Sequence, residues 1–301
     1  MVVGMMNVRE FLKAGAIAAV CAVFPAEAAE QKVLRVLLID GQNNHQWQAT
    51  TPVLKKALEA AGGRFAVTVS TAPGDKSGPA DWEKWRPDFS ACDVVVSNYN
   101  GQAWPVSVRI GFEAFVKGGG GFVCIHAADN SFPDWAEYNQ MIGLGGWGGR
   151  TEKHGPYVYV KDGKLERDMT PGSGGSHGAQ LEFQVELFGE GKDHPVTKGM
   201  PASWKHAKDE LYSTLRGPAE NMKVLAVSPC PDTNRSEPMI MVLDYGKGRV
   251  MHTPMGHADY SMKDAGFWSV LQRGTEWAAT GAVTIPLPAK FPGKDEVVVA
   301  E

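Results

Sequence analysis

The sequence predicts a single α/β domain, a mostly parallel sheet with helices on both faces in three layers. Three observations carry this. Short apolar runs alternate with helically spaced segments through the first half of the chain. With 301 residues and 43% hydrophobic content, the chain can bury a sizeable core. No internal repeat and no linker divides it into two cores.

The chain opens on a targeting pattern. Arg9 and Lys13 form a positive region, Ala14 to Phe24 is an apolar run, and Ala26-Glu27-Ala28 is a small-x-small cleavage site. This predicts a signal peptide over residues 1–28 and a periplasmic or secreted product. The run is too short to anchor in a bilayer, so no membrane association is expected after cleavage.

The domain is expected over 33–280. Val33 to Asp40 is a buried strand ending at Asp40-Gly41. Thr51-Pro52 then opens a helix with Leu54, Ala57, Leu58 and Ala61 on one face and Gly62-Gly63 at its end. Phe65 to Thr71 and Asp93 to Asn98 are further strands. Trp104-Pro105 starts a helix carrying Val108, Phe112, Phe115 and Val116, which Gly118 to Gly121 stops. Phe122 to Ile125 is the fourth strand. Pro171 to Ser176 is a Gly/Ser-rich tract that reads as a mobile surface loop. Leu181 to Leu187 and Met222 to Val227 are strands. Pro238 to Asp244 and Arg249 to Thr253 flank the hairpin signal Tyr245-Gly246-Lys247-Gly248. The last helix carries Phe267, Val270, Leu271, Gly274 and Trp277, with Gly281 beyond it. A tail over 281–301 shows no clear period.

The net charge of −4 and the lack of a basic stripe exclude a nucleic-acid binder and favour a small neutral or polar ligand. Beyond the leader, Cys92, Cys124 and Cys230 are too few for a disulfide framework, and Cys92 and Cys124, in or beside apolar runs, read as buried thiols.

Four polar clusters follow strands or turns. The first is Asn43-Asn44-His45-Gln46-Trp47, on the ligand edge of the sheet, where His45 can bind a metal or move a proton. The second is the Gly-rich run into Ile125-His126-Ala127-Ala128. A strand entering a small-residue turn there resembles the elbow that pushes a nucleophile over the sheet edge, and His126 takes that place. The bland alternative is a core histidine bonded to backbone. The P-loop Lys-Ser/Thr is missing, so no nucleotide cofactor is expected. The third joins His154, Asp193-His194-Pro195 and Asp209-Glu210-Leu211-Tyr212. One carboxylate of the pair can act as base or metal ligand, or both can be an ordinary charged pair. The fourth is Gly256-His257-Ala258-Asp259, another strand-end histidine. His252 reads as packing, and His177 and His206 have no supporting context.

Together these clusters resemble the trehalose-utilisation (ThuA-like) family. The matching pieces are the loop with His45, Ile125-His126-Ala127-Ala128, Gly145-Gly146 followed by His154, and Asp193 to Pro201. Asp209-Glu210-Leu211-Tyr212 and Tyr245 to Val250 leading to Gly256-His257 complete them. The resemblance covers about residues 33 to 280 and implies a fold like class I glutamine amidotransferases. Those enzymes place a cysteine on the elbow and a His-x-Glu dyad after a late strand. His126 on the elbow, and His257 without the matching glutamate, argue against glutamine hydrolysis, since imidazole cannot supply the thiolate. The resemblance also implies handling of disaccharides or their keto-sugar derivatives. The leader and the Gly/Ser-rich tract depart from the family pattern.

The expectation is therefore an enzyme on a carbohydrate or keto-sugar, a hydrolase, lyase or isomerase. His126, His257 and Glu210 or Asp209 would act by acid–base chemistry. Alternatively His45, His126 and His257 would hold a zinc-like divalent metal. His45, His154, Trp47 and Trp104 are expected at the substrate, with Trp147 a further stacking candidate. A non-catalytic sugar-binding protein and an interaction module of an exported assembly are the rival classes.

Overall fold

The structure is a computed structural model that describes residues 1, 2 and 31–300. The expected leader lies, from residue 3 onward, outside the described residues. All elements below belong to the unit Lys32–Glu301.

The first half alternates as expected: β1 (Leu34–Asp40), α1 (Trp47–Glu59), β2 (Phe65–Thr71), α2 (Pro79–Lys84), β3 (Val94–Ser97), α3 (Val106–Lys117) and β4 (Gly121–Ile125). Next comes α4 (Ala136–Ile142), then β5 (Tyr157–Lys161) and β6 (Lys164–Asp168). The short β7 (Ser176–His177) precedes β8 (Leu181–Leu187), β9 (Ser203–Asp209) and the short β10 (Tyr212–Ser213). The chain closes on β11 (Met222–Cys230), β12 (Arg235–Tyr245), β13 (Gly248–Thr253), α5 (Asp259–Met262) and α6 (Ala265–Thr280).

One mixed sheet runs β2-β1-β3-β4-β13-β12-β11-β8-β9. Its first five strands are parallel, in the flavodoxin-like order. From β13 onward the pairs are antiparallel, and β5 with β6 extends β12. Alternating side chains of β1 separate the two cores, as a pleated strand requires. Val36 and Leu38 pack with Leu54 and Leu58 of α1 and Phe267 and Leu271 of α6. Leu37 and Ile39 pack on the other face with Phe112 and Val116 of α3 and Tyr138 of α4. This is the expected three-layer arrangement.

Two details differ from the sequence reading. α1 starts at Trp47, so Pro52 sits in its second turn rather than its first. The proline leaves the carbonyl of exposed Gln48 without a helical donor, and water can supply one. The Gly/Ser-rich tract is tied down instead of free. Trp147 and Gly174 donate backbone N–H bonds to Gly174 and Arg150, Gly175 donates to Thr214, and Ser176-His177 pairs with Tyr212-Ser213. Arg216, fully buried, donates to the carbonyls of Gly155, Thr170 and Gly172. The tail's described residues form no helix or strand, as its lack of period implies, and it packs with Ile285 and Val298 buried. Among the described residues no helix is long and apolar enough to cross a membrane.

Candidate functional site

The C-terminal ends of the parallel strands deliver the site, at the edge where open α/β sheets bind ligands. β1 runs into the loop carrying His45. β4 ends at Ile125, and His126 turns sharply with φ of +45°. Left-handed backbone is uncommon outside glycine but enriched in histidine. It swings the ring over the sheet edge, where the elbow reading placed it. The His126 Nδ1 lies 2.7 Å from the Pro254 carbonyl, just past β13. A carbonyl only accepts, so Nδ1 carries the proton and Nε2 is left facing the site. β13 leads through Gly256, at φ +108°, to His257. A Cβ on Gly256 would come within 3.1 Å of both Met262 and Phe267, so this turn needs glycine. Glu210 follows β9 from the antiparallel half.

His45, His126, Glu210 and His257 converge, with one donor atom from each lying within 4.8 Å of all the others. Glu210 Oε2 is 3.1 Å from His257 Nδ1 and 3.6 Å from His126 Nε2. The rings of His45 and His257 are 4.4 Å apart between centroids, those of His45 and His126 4.8 Å. His126 Nε2, His257 Nδ1 and Glu210 Oε2 are all buried and form no proper hydrogen bond. Buried polar atoms are normally satisfied, so three orphans aimed at one point need an explanation. A cation held between them supplies one, and imidazole and carboxylate are the donors of zinc-type sites.

His45 and Glu210 are held in the forms that ligate a cation, while the carboxylates around His126 favour its protonated form. Burial pushes His45 down to about 3, aided by its neighbours His126 and His257, so the ring is neutral. Burial alone would raise Glu210, but the facing His126 and His257 prevail and hold it well below the usual carboxylate range. Burial works to lower His126, yet Glu210 and then Asp209 outweigh it and raise it.

Asp209, expected as an alternative catalytic carboxylate, does not face the cleft. Its Oδ1 accepts from the backbone N–H groups of Glu210 and His257, both at 2.9 Å. Its Oδ2 accepts from Gly256 N at 2.6 Å and from His206 Nε2 at 2.8 Å. A carboxylate offers about four lone-pair sites, and all are occupied. His206 sits between Asp209 and Asp264, and Asp264 also caps α6 through Phe267 N. Burial would lower His206, but the two carboxylates dominate and raise it to about 9.

His45 and Glu210 of the cluster line a cleft of about 350 Å³. Asn44, Asn100 and Asn130 present amides, Tyr212 a hydroxyl and Trp147 its ring, and among the described residues no Lys or Arg lines it. Asn100 Nδ2 donates to Asn44 Oδ1 at 2.6 Å, and the Tyr212 hydroxyl is 3.3 Å from His45 Nε2. Trp147 is left-handed at φ +51°, a strained state for a bulky residue. His177, for which the sequence offered no context, lines the same cleft with Nε2 3.8 Å from Glu210 Oε1. Its strand β7 is two residues long, too short for any periodic signal.

The remaining expected site residues fall elsewhere. Trp104 is 2% exposed and sits in an aromatic cluster with Trp85, Tyr99, Phe112, Phe132 and Trp135, so it belongs to the core and not to a substrate surface. Trp47, half-buried, opens α1 and is not among the cleft residues. His154 accepts from Thr151 N at 3.1 Å, a local turn contact outside the cleft.

A family model described as trehalose utilisation (ThuA) matches residues 35–278. Among solved structures, a ThuA-like protein from Parabacteroides merdae aligns with a TM-score of 0.84 at 43% identity, over 89% of this chain and 98% of that one. A ThuA-like protein from Bacteroides uniformis gives a TM-score of 0.55 at 20% identity, over 87% and 97%. A cytoplasmic protein from Salmonella typhimurium gives 0.50 at 14%, over 81% and 99%, a likeness of fold alone. Comparison with curated proteins finds no match. The family model spans most of the chain and the Parabacteroides protein nearly all of it, so the chain belongs to the trehalose-utilisation (ThuA) family.

Proposed function

We propose that this chain is an exported enzyme that holds a divalent, zinc-like ion on His45, His126, His257 and Glu210 and acts on a carbohydrate or keto-sugar in the adjoining cleft. One observation carries the reading: the orphaned His126 Nε2, His257 Nδ1 and Glu210 Oε2 converge in one cluster, of which His45 and Glu210 line that cleft. When bound, such an ion supplies Lewis-acid polarisation of a substrate carbonyl or hydroxyl oxygen.

The chain's own residues do the rest. His45 is neutral, with a lone pair on Nε2 that Asn44 Nδ2 faces at 3.0 Å. The Pro254 carbonyl fixes the His126 tautomer, as partners of metal-bound histidines usually do. The asparagine amides, each both donor and acceptor, suit vicinal hydroxyls, and Trp147 offers a flat face to a sugar ring. The lack of lysine and arginine in the lining disfavours phosphorylated substrates. The family description and the leader pattern support sugar handling and export.

Metal content of the purified protein, wild type beside His126→Ala, tests the reading. About one equivalent of divalent ion in the wild type, absent from the variant, is expected. A wild type that takes up no metal even after incubation with zinc would overturn the metal assignment. A panel of disaccharides and keto-glycosides, followed by calorimetry and product analysis, tests the substrate class. Micromolar binding without product would instead favour a sugar-binding protein. Fusing residues 1–28 to a reporter active only outside the cytoplasm tests export.

A further inference from the structure

Glu210 and His257 come from distant parts of the chain, one after the edge strand β9 and the other after β13. Their donor atoms nonetheless lie 3.1 Å apart. Something must hold the two backbones in register. We propose that the buried Asp209 carboxylate, braced by His206 and Asp264, is the positioning residue of this site, setting Glu210 and His257 so that their free atoms meet.

The geometry is specific. A single carboxylate oxygen, Oδ1, bonds the backbone N–H of both Glu210 and His257 at 2.9 Å. The other oxygen takes Gly256 N, which fixes the turn that aims His257. The same oxygen also takes His206 Nε2, whose ring is in turn held by Asp264 Oδ1 at 3.3 Å. Asp209, His206 and Asp264 are each no more than 1% exposed. Asp264 starts α6, and Ser261 just before it donates to the Lys208 carbonyl beside Asp209. The clamp is thus anchored to the main helix behind the sheet. Asp209 acts only through other residues, since it touches neither the cleft nor the orphaned atoms.

This inference rests on the reading of the four residues as one donor set, so its test separates the two. The full chain is compared as wild type, Asp209→Asn and Glu276→Gln. Glu276 is a buried carboxylate on α6 paired with Arg64 and lies outside the donor set, so its variant controls for lost stability. Cobalt(II) is titrated while its visible band is recorded, and hydrogen exchange is followed at the amides of Glu210, Gly256 and His257.

Asparagine matches aspartate in shape but replaces one acceptor oxygen with a donor, so at least one N–H bond is lost. Asp209→Asn is expected to speed exchange at those amides roughly tenfold. It should weaken cobalt binding about 10- to 100-fold, with an altered band. Glu276→Gln should lower thermal stability and leave cobalt affinity and band unchanged. Asp264→Asn keeps the helix cap while weakening the brace. It should give the same signature in smaller measure, and it decides the matter if Asp209→Asn fails to fold. Wild-type exchange at the three amides, or undiminished cobalt affinity despite faster exchange, would overturn the proposal. If the wild type takes up no cobalt, the metal reading fails by itself and the exchange rates alone decide the clamp.

Discussion

Asp209 and Glu210 are neighbours with opposite fates, because successive residues at a strand end turn to opposite sides. Glu210 points to the histidines while Asp209 points back into the protein, towards His206. The sequence names the pair but not which member faces the site, although strand alternation was the signal that the two would diverge. His45, His126 and His257 were legible because each follows a strand. His206 was not, since its partner Asp264 is 58 residues away. Its burial between two carboxylates has a consequence for stability. A histidine raised from about 6.5 unfolded to about 9 folded contributes stability that is complete below pH 6.5 and lost as pH rises through 9. Asp209, depressed when folded, adds stability that disappears only at acid pH. The triad therefore stabilises most between about pH 4 and 6.5, by an amount on the order of 3 kcal/mol for the histidine. Denaturant melts of wild type and His206→Gln should differ most near pH 6, with the gap shrinking toward pH 9.5. A gap independent of pH would show that the ring is not charged.

At the scale of elements, the parallel strands and the long helices α1, α3 and α6 were legible from apolar runs, helical spacing and terminal glycines. The hairpin of β5 and β6 was obscured by the Gly-rich composition around it. Yet its two-residue turn is Asp162-Gly163, both left-handed, a known hairpin signal. The tract after it looks like loose loop because glycine and serine carry little packing information. Its glycines instead make room for a close approach. Gly175 sits at φ +90°, and a Cβ there would lie 2.6 Å from Trp147 N and 2.7 Å from Trp147 Cε3. With the Gly174 carbonyl accepting from Trp147 N at 2.7 Å, the tract braces the strained tryptophan at the cleft. Gly175→Ala should therefore cost about 1–3 kcal/mol from backbone strain and overpacking. It should also shift tryptophan emission, because Trp147 must move, and it should leave metal uptake by the four-residue cluster intact. An unshifted emission spectrum would mean that the tract does not support Trp147.

For the whole molecule, the sheet order explains why four residues scattered from 45 to 257 meet. The parallel half aligns the ends of β1, β4 and β13 along one edge, while the antiparallel half brings the end of β9 back to them. The alternation of strands and helices foretold the first half. In the second, the hairpin of β12 and β13 was legible from its turn, but the pairing of β8 with β11 is long-range and leaves no local signal. The tail follows the same logic of distant contacts without local periodicity. Residues Thr284 and Ile285 donate backbone N–H bonds to buried Glu276, at 2.8 and 3.0 Å, and the Ile285 carbonyl accepts from Arg273. Farther on, Val298 accepts from Ala265 N at 2.8 Å beside the α6 cap, and Phe291 packs on Trp204. Burial of Ile285 and Val298 alone is worth roughly 1.5–3 kcal/mol each. A truncation at residue 282 also strips Glu276 of three donors, the N–H groups of Thr284 and Ile285 and the Thr284 hydroxyl. At about 2–4 °C per kcal/mol for a domain of this size or somewhat smaller, the loss corresponds to roughly 10 °C or more. Differential scanning calorimetry of the truncated chain should show that drop. A melting temperature within about 2 °C of the full chain would mean that the tail only lies on the surface. A drop of the expected size would make it part of the folded core and a backing for the helix that carries Asp264.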